Sequence, residues 1–170
     1  MTRKLLGALV LLLTLVPAAR AQNVARAPRH PALTHANPAD QTGNSTTTLK
    51  MNGLGAAAAP CTITPKVTGR VVFTITGQLS QNTGGDGVTY KLAYGTGAAP
   101  ANAAAATGTI ASATHTWTAL AGQLITQFAL TASATGLQVG TAVWFDLQVA
   151  EVTGGTAAIT HVDCTAQELP

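Results

Sequence analysis

From Leu54 onward, apolar and polar residues alternate in short runs separated by glycine-rich turns, the period-two pattern of strands that bury one face. A strand predicted over 69–79 places Val71, Phe73, Ile75 and Leu79 on one side and Val72, Thr74, Thr76 and Gln78 on the other. Turn residues from Asn82 to Gly87 reverse the chain. Val88, Tyr90, Leu92 and Tyr94 then form a second apolar row, with Thr89 and Lys91 outside. After a loop broken by Pro100, weaker strands are predicted over 107–112 and 114–118. A further strand over 124–132 carries Leu124, Phe128 and Leu130 on one face. The strongest late strand, over 141–152, turns Val143, Phe145, Leu147 and Val149 inward and leaves Trp144, Asp146 and Gln148 opposite. Gly154-Gly155 leads into a last strand over 157–167. Seven or eight strands without an amphipathic helix predict an all-β fold, an antiparallel sandwich of two sheets sharing one core.

The N-terminal fifty residues follow other rules. Arg3 and Lys4 precede an apolar run from Leu5 to Val16, and Pro17 with Ala19-Arg20-Ala21 closes it. That is a signal peptide over 1–21, cleaved after Ala21, and the run is shorter than the roughly twenty residues a membrane span needs. The chain is therefore expected to be secreted, touching a membrane only through this precursor segment. From 22 to 50, Pro28, Pro31 and Pro38 and many Thr, Asn and Ala residues predict a flexible arm, leaving the domain at 51–170. Arg26, Arg29, His30 and His35 read as a solvated tail. Asn44-Ser45-Thr46 fits a glycosylation acceptor.

Export changes the charge balance. The whole chain has nine Lys and Arg against six acids, but Arg3, Lys4 and Arg20 leave with the signal. Six bases then face six acids, which removes the electrostatic support that nucleic-acid binding needs. Charged residues are only 9% of the chain, so material for acid/base catalysis is scarce.

Cys61 and Cys164 are the two cysteines, and an exported chain favours their disulfide over free thiols. Ile63 lies two residues after Cys61, and Val162 two before Cys164. This predicts first and last strands paired antiparallel, with the cysteines opposite each other and Ile63 facing Val162.

Other candidate chemistry is thin. Asp86 sits among glycines, but one carboxylate with Asn82 falls short of the oxygen count of a calcium site, so a turn is expected. His115, His161, Asp146 and Asp163 could contribute to a hydrolytic triad, yet no Gly-x-Ser-x-Gly elbow accompanies them. His161 and Asp163 share a face of the last strand and read as an outward polar pair. No catalytic residue, cofactor or metal is assigned. Trp144 lies opposite an apolar row that already builds the core, so a subunit or ligand contact is expected there unless a loop covers it, with Trp117 as a second stacking platform.

Four segments, Cys61-Thr62-Ile63-Thr64-Pro65, Gly69-Arg70-Val71-Val72, Tyr94-Gly95-Thr96-Gly97-Ala98-Ala99-Pro100-Ala101-Asn102 and Gly140-Thr141-Ala142-Val143-Trp144-Phe145-Asp146-Leu147, resemble the small jelly-roll domains of tailed-phage and bacterial genomes, many assigned to virion structure. The likeness covers about Met51 to Leu169. It implies a jelly roll of the tumour-necrosis-factor type and, with it, a homo-oligomer, commonly a trimer. Leu137-Gln138-Val139-Gly140-Thr141 is also similar to a corner of fibronectin type III modules, so an immunoglobulin-like sandwich is the alternative. The expected role is a non-enzymatic structural or adhesive module, a component of a cell-surface or virion assembly. A carbohydrate- or surface-polymer-binding module is the alternative, and a small secreted hydrolase is the third reading.

Overall fold

The computed structural model describes residues 31–41, 43–121 and 124–170. The signal peptide expected at 1–21 lies outside these described residues. Within them the strands are β1 (Leu33–Ala36), β2 (Lys50–Met51), β3 (Thr62–Ile63), β4 (Val71–Gln81), β5 (Gly87–Thr96), β6 (Thr109–Ile110), β7 (His115–Thr118), β8 (Ile125–Ala134), β9 (Val143–Glu151) and β10 (Ala157–Glu168). A single 3-10 turn, Leu54–Ala56, sits between β2 and β3.

The strands form two antiparallel sheets. One has the order β1-β10-β4-β8 and the other β2-β9-β5-β6, with β3 also on β9 and β7 also on β5. Because β2 and β3 both lie along β9, and β6 and β7 both along β5, each pair is one interrupted strand. Counted so, the orders become first-eighth-third-sixth and second-seventh-fourth-fifth. This is the double Greek key of a jelly roll. The immunoglobulin-like alternative is set aside, because there the first two strands are neighbours in one sheet.

The apolar rows meet between the sheets. Val71, Phe73, Ile75 and Leu79 of β4 are buried against Val88 and Leu92 of β5 and Val143, Phe145, Leu147 and Val149 of β9. Phe73 stacks on Phe145 with ring centroids 5.1 Å apart and on Tyr94 at 5.5 Å. Each such side chain contributes about 1.5–3 kcal/mol by leaving water.

Two expectations are corrected. The disulfide between Cys61 and Cys164 is present, with Cα atoms 5.8 Å apart, but the strands that carry the cysteines are not paired. Cys61 precedes β3, whose partner is β9, whereas Cys164 lies in β10 opposite Ile75 of β4 and Ala36 of β1. The bridge therefore crosses the core from sheet to sheet, and Ile63 does not face Val162 across a ladder. Alternation reports which face a residue occupies and is silent about the partner strand.

The arm expected over 22–50 is also not free throughout. From Leu33 it pairs with β10, Asn44 bridges to Ala157, and Lys50 and Met51 pair with β9. Pro31 and Pro38 flank β1 at the edge of its sheet, where a missing N–H interrupts no ladder.

Candidate functional site

The outer surface over β9 is closed. All nine β9 residues are buried, including the row that points away from the core. Trp144 lies on that row, as alternation predicts, yet it is only 4% exposed. Segments around Gly55, Ala99 and Gly108 cover it: a Cβ on Gly55 would come within 2.9 Å of Trp144 Cβ, and one on Gly108 within 2.5 Å of its ring. Glycine lets the backbone lie directly on the indole. The expected contact surface at Trp144 is thus corrected, since loops of the same chain bury the ring.

Beside it, Asp146 accepts a hydrogen bond from the Gly53 N–H at 2.9 Å, and Gln148 Nε2 donates to Thr107 O at 2.9 Å. Burial pushes the Asp146 carboxyl up to about 7, against the opposing pull of the N–H groups of Leu54, Leu147, Gly53 and Gly55. Trp117, in β7 opposite Val88, is half-buried against the core. Near it His115 stacks on Tyr90 at 5.5 Å, and Tyr90 meets Phe128 edge-on at 5.5 Å. These rings bridge β5 and β7 to β8 across the sandwich.

The remaining buried acids are occupied by backbone. Glu168 accepts from the N–H groups of Ala32, Lys66, Val67, Thr68 and Gly69 at 2.6–3.1 Å. Burial alone would raise its pKa, but the donors from Lys66, Ala32, Thr68 and Val67 outweigh it and hold the carboxylate well below its usual range. Asp86 accepts from Gly87 N, Thr153 N, Thr153 Oγ1 and Gly154 N at 2.7–2.8 Å. There too the hydrogen bonds overcome burial and lower the pKa. Asp86 is a turn clamp between the β4–β5 and β9–β10 connections. Glu151, raised by burial, accepts from Ala157 N at 2.9 Å.

The candidate triad residues are not brought together. Asp146 is under the β9 cover, His115 is at the β5–β7 side, and His161 and Asp163 are on the opposite sheet. Asp163 instead pairs with His35 Nε2 at 2.7 Å.

Among the described residues the opposite sheet keeps its outer face half-buried to exposed. Its outward rows, read across β10, β4 and β8, run Gln167–Val72–Ser133, Thr165–Thr74–Thr131, Asp163–Thr76–Ala129, Thr160–Gln78–Gln127 and Ala158–Ser80–Ile125. Thr74 and Thr131 share a hydroxyl hydrogen bond of 3.1 Å. The ladder between β10 and β4 is interrupted between Thr160 and Asp163 by a bulge, and His161 there adopts φ 52°. Asp40 fixes that bulge by accepting the His161 N–H at 2.7 Å. Beside it, Thr76, Gly77, Gln78, Gln127, Phe128 and His161 line a recess of about 220 Å³. Sequence reading placed Thr76 and Gln78 on this outer row, but nothing in the alternation marks a recess, because the bulge that shapes it is one extra residue.

No family model matches the chain, and no curated protein matches it. Among solved structures, it is similar to the Eiger TNF from S. frugiperda at 9% identity and TM-score 0.46, over 84% of this chain and 94% of that one. It is also similar to the CBM22-1 xylan-binding domain from Paenibacillus barcinonensis Xyn10C, at 10% identity and TM-score 0.37 over 81% and 95%. A third likeness is the carbohydrate-binding module CBM6cm-2 from Cellvibrio mixtus lichenase 5A in complex with cellotriose, at 10%, 0.34, 81% and 98%. At such identities these are likenesses of fold.

Proposed function

We propose that the chain is an exported, non-enzymatic binding module that attaches to a surface polymer or a larger assembly through the outer face of the β1-β10-β4-β8 sheet. One observation carries this reading: the outward row of β9 is sealed by the chain's own loops, whereas among the described residues the outward rows of Thr, Ser and Gln on the four-stranded sheet remain half-buried to exposed. Short polar side chains on a rigid ladder provide many hydrogen-bonding groups at little conformational cost. On that face His35 Nε2 lies 2.7 Å from the Asp163 carboxylate.

A cross-core disulfide supports an oxidising destination, and with it the signal peptide expected at 1–21. Asp86, Glu151 and Glu168 each accept backbone N–H groups that position turns, which supports a structural use for the buried acids over a catalytic one. The test is co-sedimentation of secreted protein with the insoluble envelope material of its source. Intact mass of the same sample should correspond to a chain starting at Gln22.

A second reading puts another copy of the chain on the same face. Leu33 and Ile125, 69% and 57% exposed, stand on its two edge strands, and exposed apolar residues at the rims of a face with few charged side chains favour self-association. Light scattering distinguishes a monomer from the homotrimer that the tumour-necrosis-factor resemblance implies.

A further inference from the structure

We infer that the recess at the β10 bulge is a binding site for one ring of a neutral polyhydroxylated ligand, a single sugar residue of a carbohydrate chain. The inference rests on the reading of this sheet face as the working surface, and it names the ligand class and the residues that would hold it.

The site is built by two local departures from regular sheet. In β10 the extra residue leaves Thr160 and His161 both turned outward while Ile159 and Val162 remain in the core. In the neighbouring strand, Gly77 interrupts the apolar row of β4. A Cβ at Gly77 would come within 3.0 Å of Thr160 O and 3.1 Å of Phe128, so the glycine leaves the bulge room that a side chain would crowd. A non-glycine residue at positive φ is strained and persists only where its surroundings impose it. Here Asp40 supplies part of that imposition through the His161 N–H.

The lining decides the ligand. Thr76 offers a hydroxyl, Gln78 and Gln127 offer two carboxamides from paired positions on β4 and β8, and His161 offers an imidazole. Nδ1 of His161 is 3.2 Å from Thr160 Oγ1, which leaves Nε2 for a ligand. The side-chain amides of Gln78 and Gln127 make no hydrogen bond within the described residues. Each amide both donates and accepts, the pairing that adjacent hydroxyl groups satisfy.

Among the described residues no lysine, arginine or carboxylate lines the recess. Asp163, opposite Thr76 in the ladder, contacts His35, and Asp40 accepts the His161 N–H. Among the described residues no lining side chain offers a counter-ion to a charged ligand, and an apolar ligand would leave the amides unpaired. At about 220 Å³ the recess is smaller than the ~300–1,000 Å³ of drug-sized pockets, which suits one ring.

The experiment uses the secreted protein, labelled with nitrogen-15 and titrated with glucose, galactose, mannose and xylose, with glucuronate and glucosamine as charged probes. At least one neutral sugar should shift the side-chain amide signals of Gln78 and Gln127 saturably. The double variant Gln78→Ala, Gln127→Ala should weaken that binding by about tenfold or more, the loss of one or two hydrogen bonds. Trp117→Ala should leave it unchanged. Saturable shifts confined to other residues, shifts with the charged probes alone, or none with any neutral sugar would overturn the inference. Retained co-sedimentation with envelope material in that event would leave the wider reading of the face standing, and its loss as well would remove both.

Discussion

Cys61 and Cys164 are joined across the core with Cα atoms 5.8 Å apart, one beside a strand of the β9 sheet and the other inside β10 of the opposite sheet. The bond therefore holds the two sheets face to face and closes a span of 103 residues. In the chain-entropy account such a span restricts the unfolded state by up to about 4–5 kcal/mol. We predict that Cys164→Ser lowers the unfolding free energy by a few kcal/mol while circular dichroism retains its β signature. Recovery of the two cysteine peptides as separate species under non-reducing conditions would count against this.

Glu168 should be the most sensitive buried acid. Glu168→Gln keeps the shape but replaces an acceptor oxygen with an amide group that opposes some of the five N–H donors. A loss of about 3 kcal/mol is expected, since an unsatisfied buried donor costs about 1–3 kcal/mol. The pH dependence has a definite sign. With its folded pKa depressed from 4.5, Glu168 contributes stability that is fully present above the ordinary value and is lost as pH falls below it. Acid melts of parent and variant should converge.

Asp146 should behave in the opposite sense. Its carboxyl moves from 3.8 in the ordinary state to about 7 when folded, so the folded chain holds the proton more tightly. Its contribution is fully present below about 3.8 and is lost as pH rises through about 7. The melting temperature of the parent minus that of Asp146→Asn should therefore fall between mildly acidic and mildly alkaline pH. A flat difference would place the proton elsewhere.

Trp144 is predicted to stabilise the fold and not an assembly. Trp144→Ala should cost about 3–5 kcal/mol, the usual range for a buried large aromatic. Gly108→Ala should be destabilising as well, because its φ is +89° and the new Cβ meets the indole. Chemical denaturation measures both, and light scattering should show the same oligomeric state before and after the Trp144 substitution.

The sequence made the inward rows of β4, β5 and β9 legible, because a strand with one buried face alternates strictly. The cover over β9 was not legible: alternation shows that Trp144 and Asp146 point away from the core and says nothing about loops returning over them. β1 was hidden by Pro31 and Pro38, which forbid a central strand but not an edge. Glu168 escaped notice because its partners are backbone N–H groups of residue 32 and residues 66–69, which any side chains could supply. The recess was invisible for a related reason, since it depends on one extra residue in β10 lying beside a glycine in β4.

The central claim, that the open four-stranded face is the working surface, is tested by matched arginine substitutions. Thr131 pairs with Thr74 through hydroxyls on that face at 3.1 Å, and Thr116 pairs with Thr89 on the other sheet at 3.3 Å. Co-sedimentation with the envelope material of the source should fall by about tenfold or more for Thr131→Arg, the effect of placing a buried unpaired charge in the contact. Thr116→Arg should bind like the parent. Equal binding by all three proteins, or loss on Thr116→Arg alone, would contradict the account.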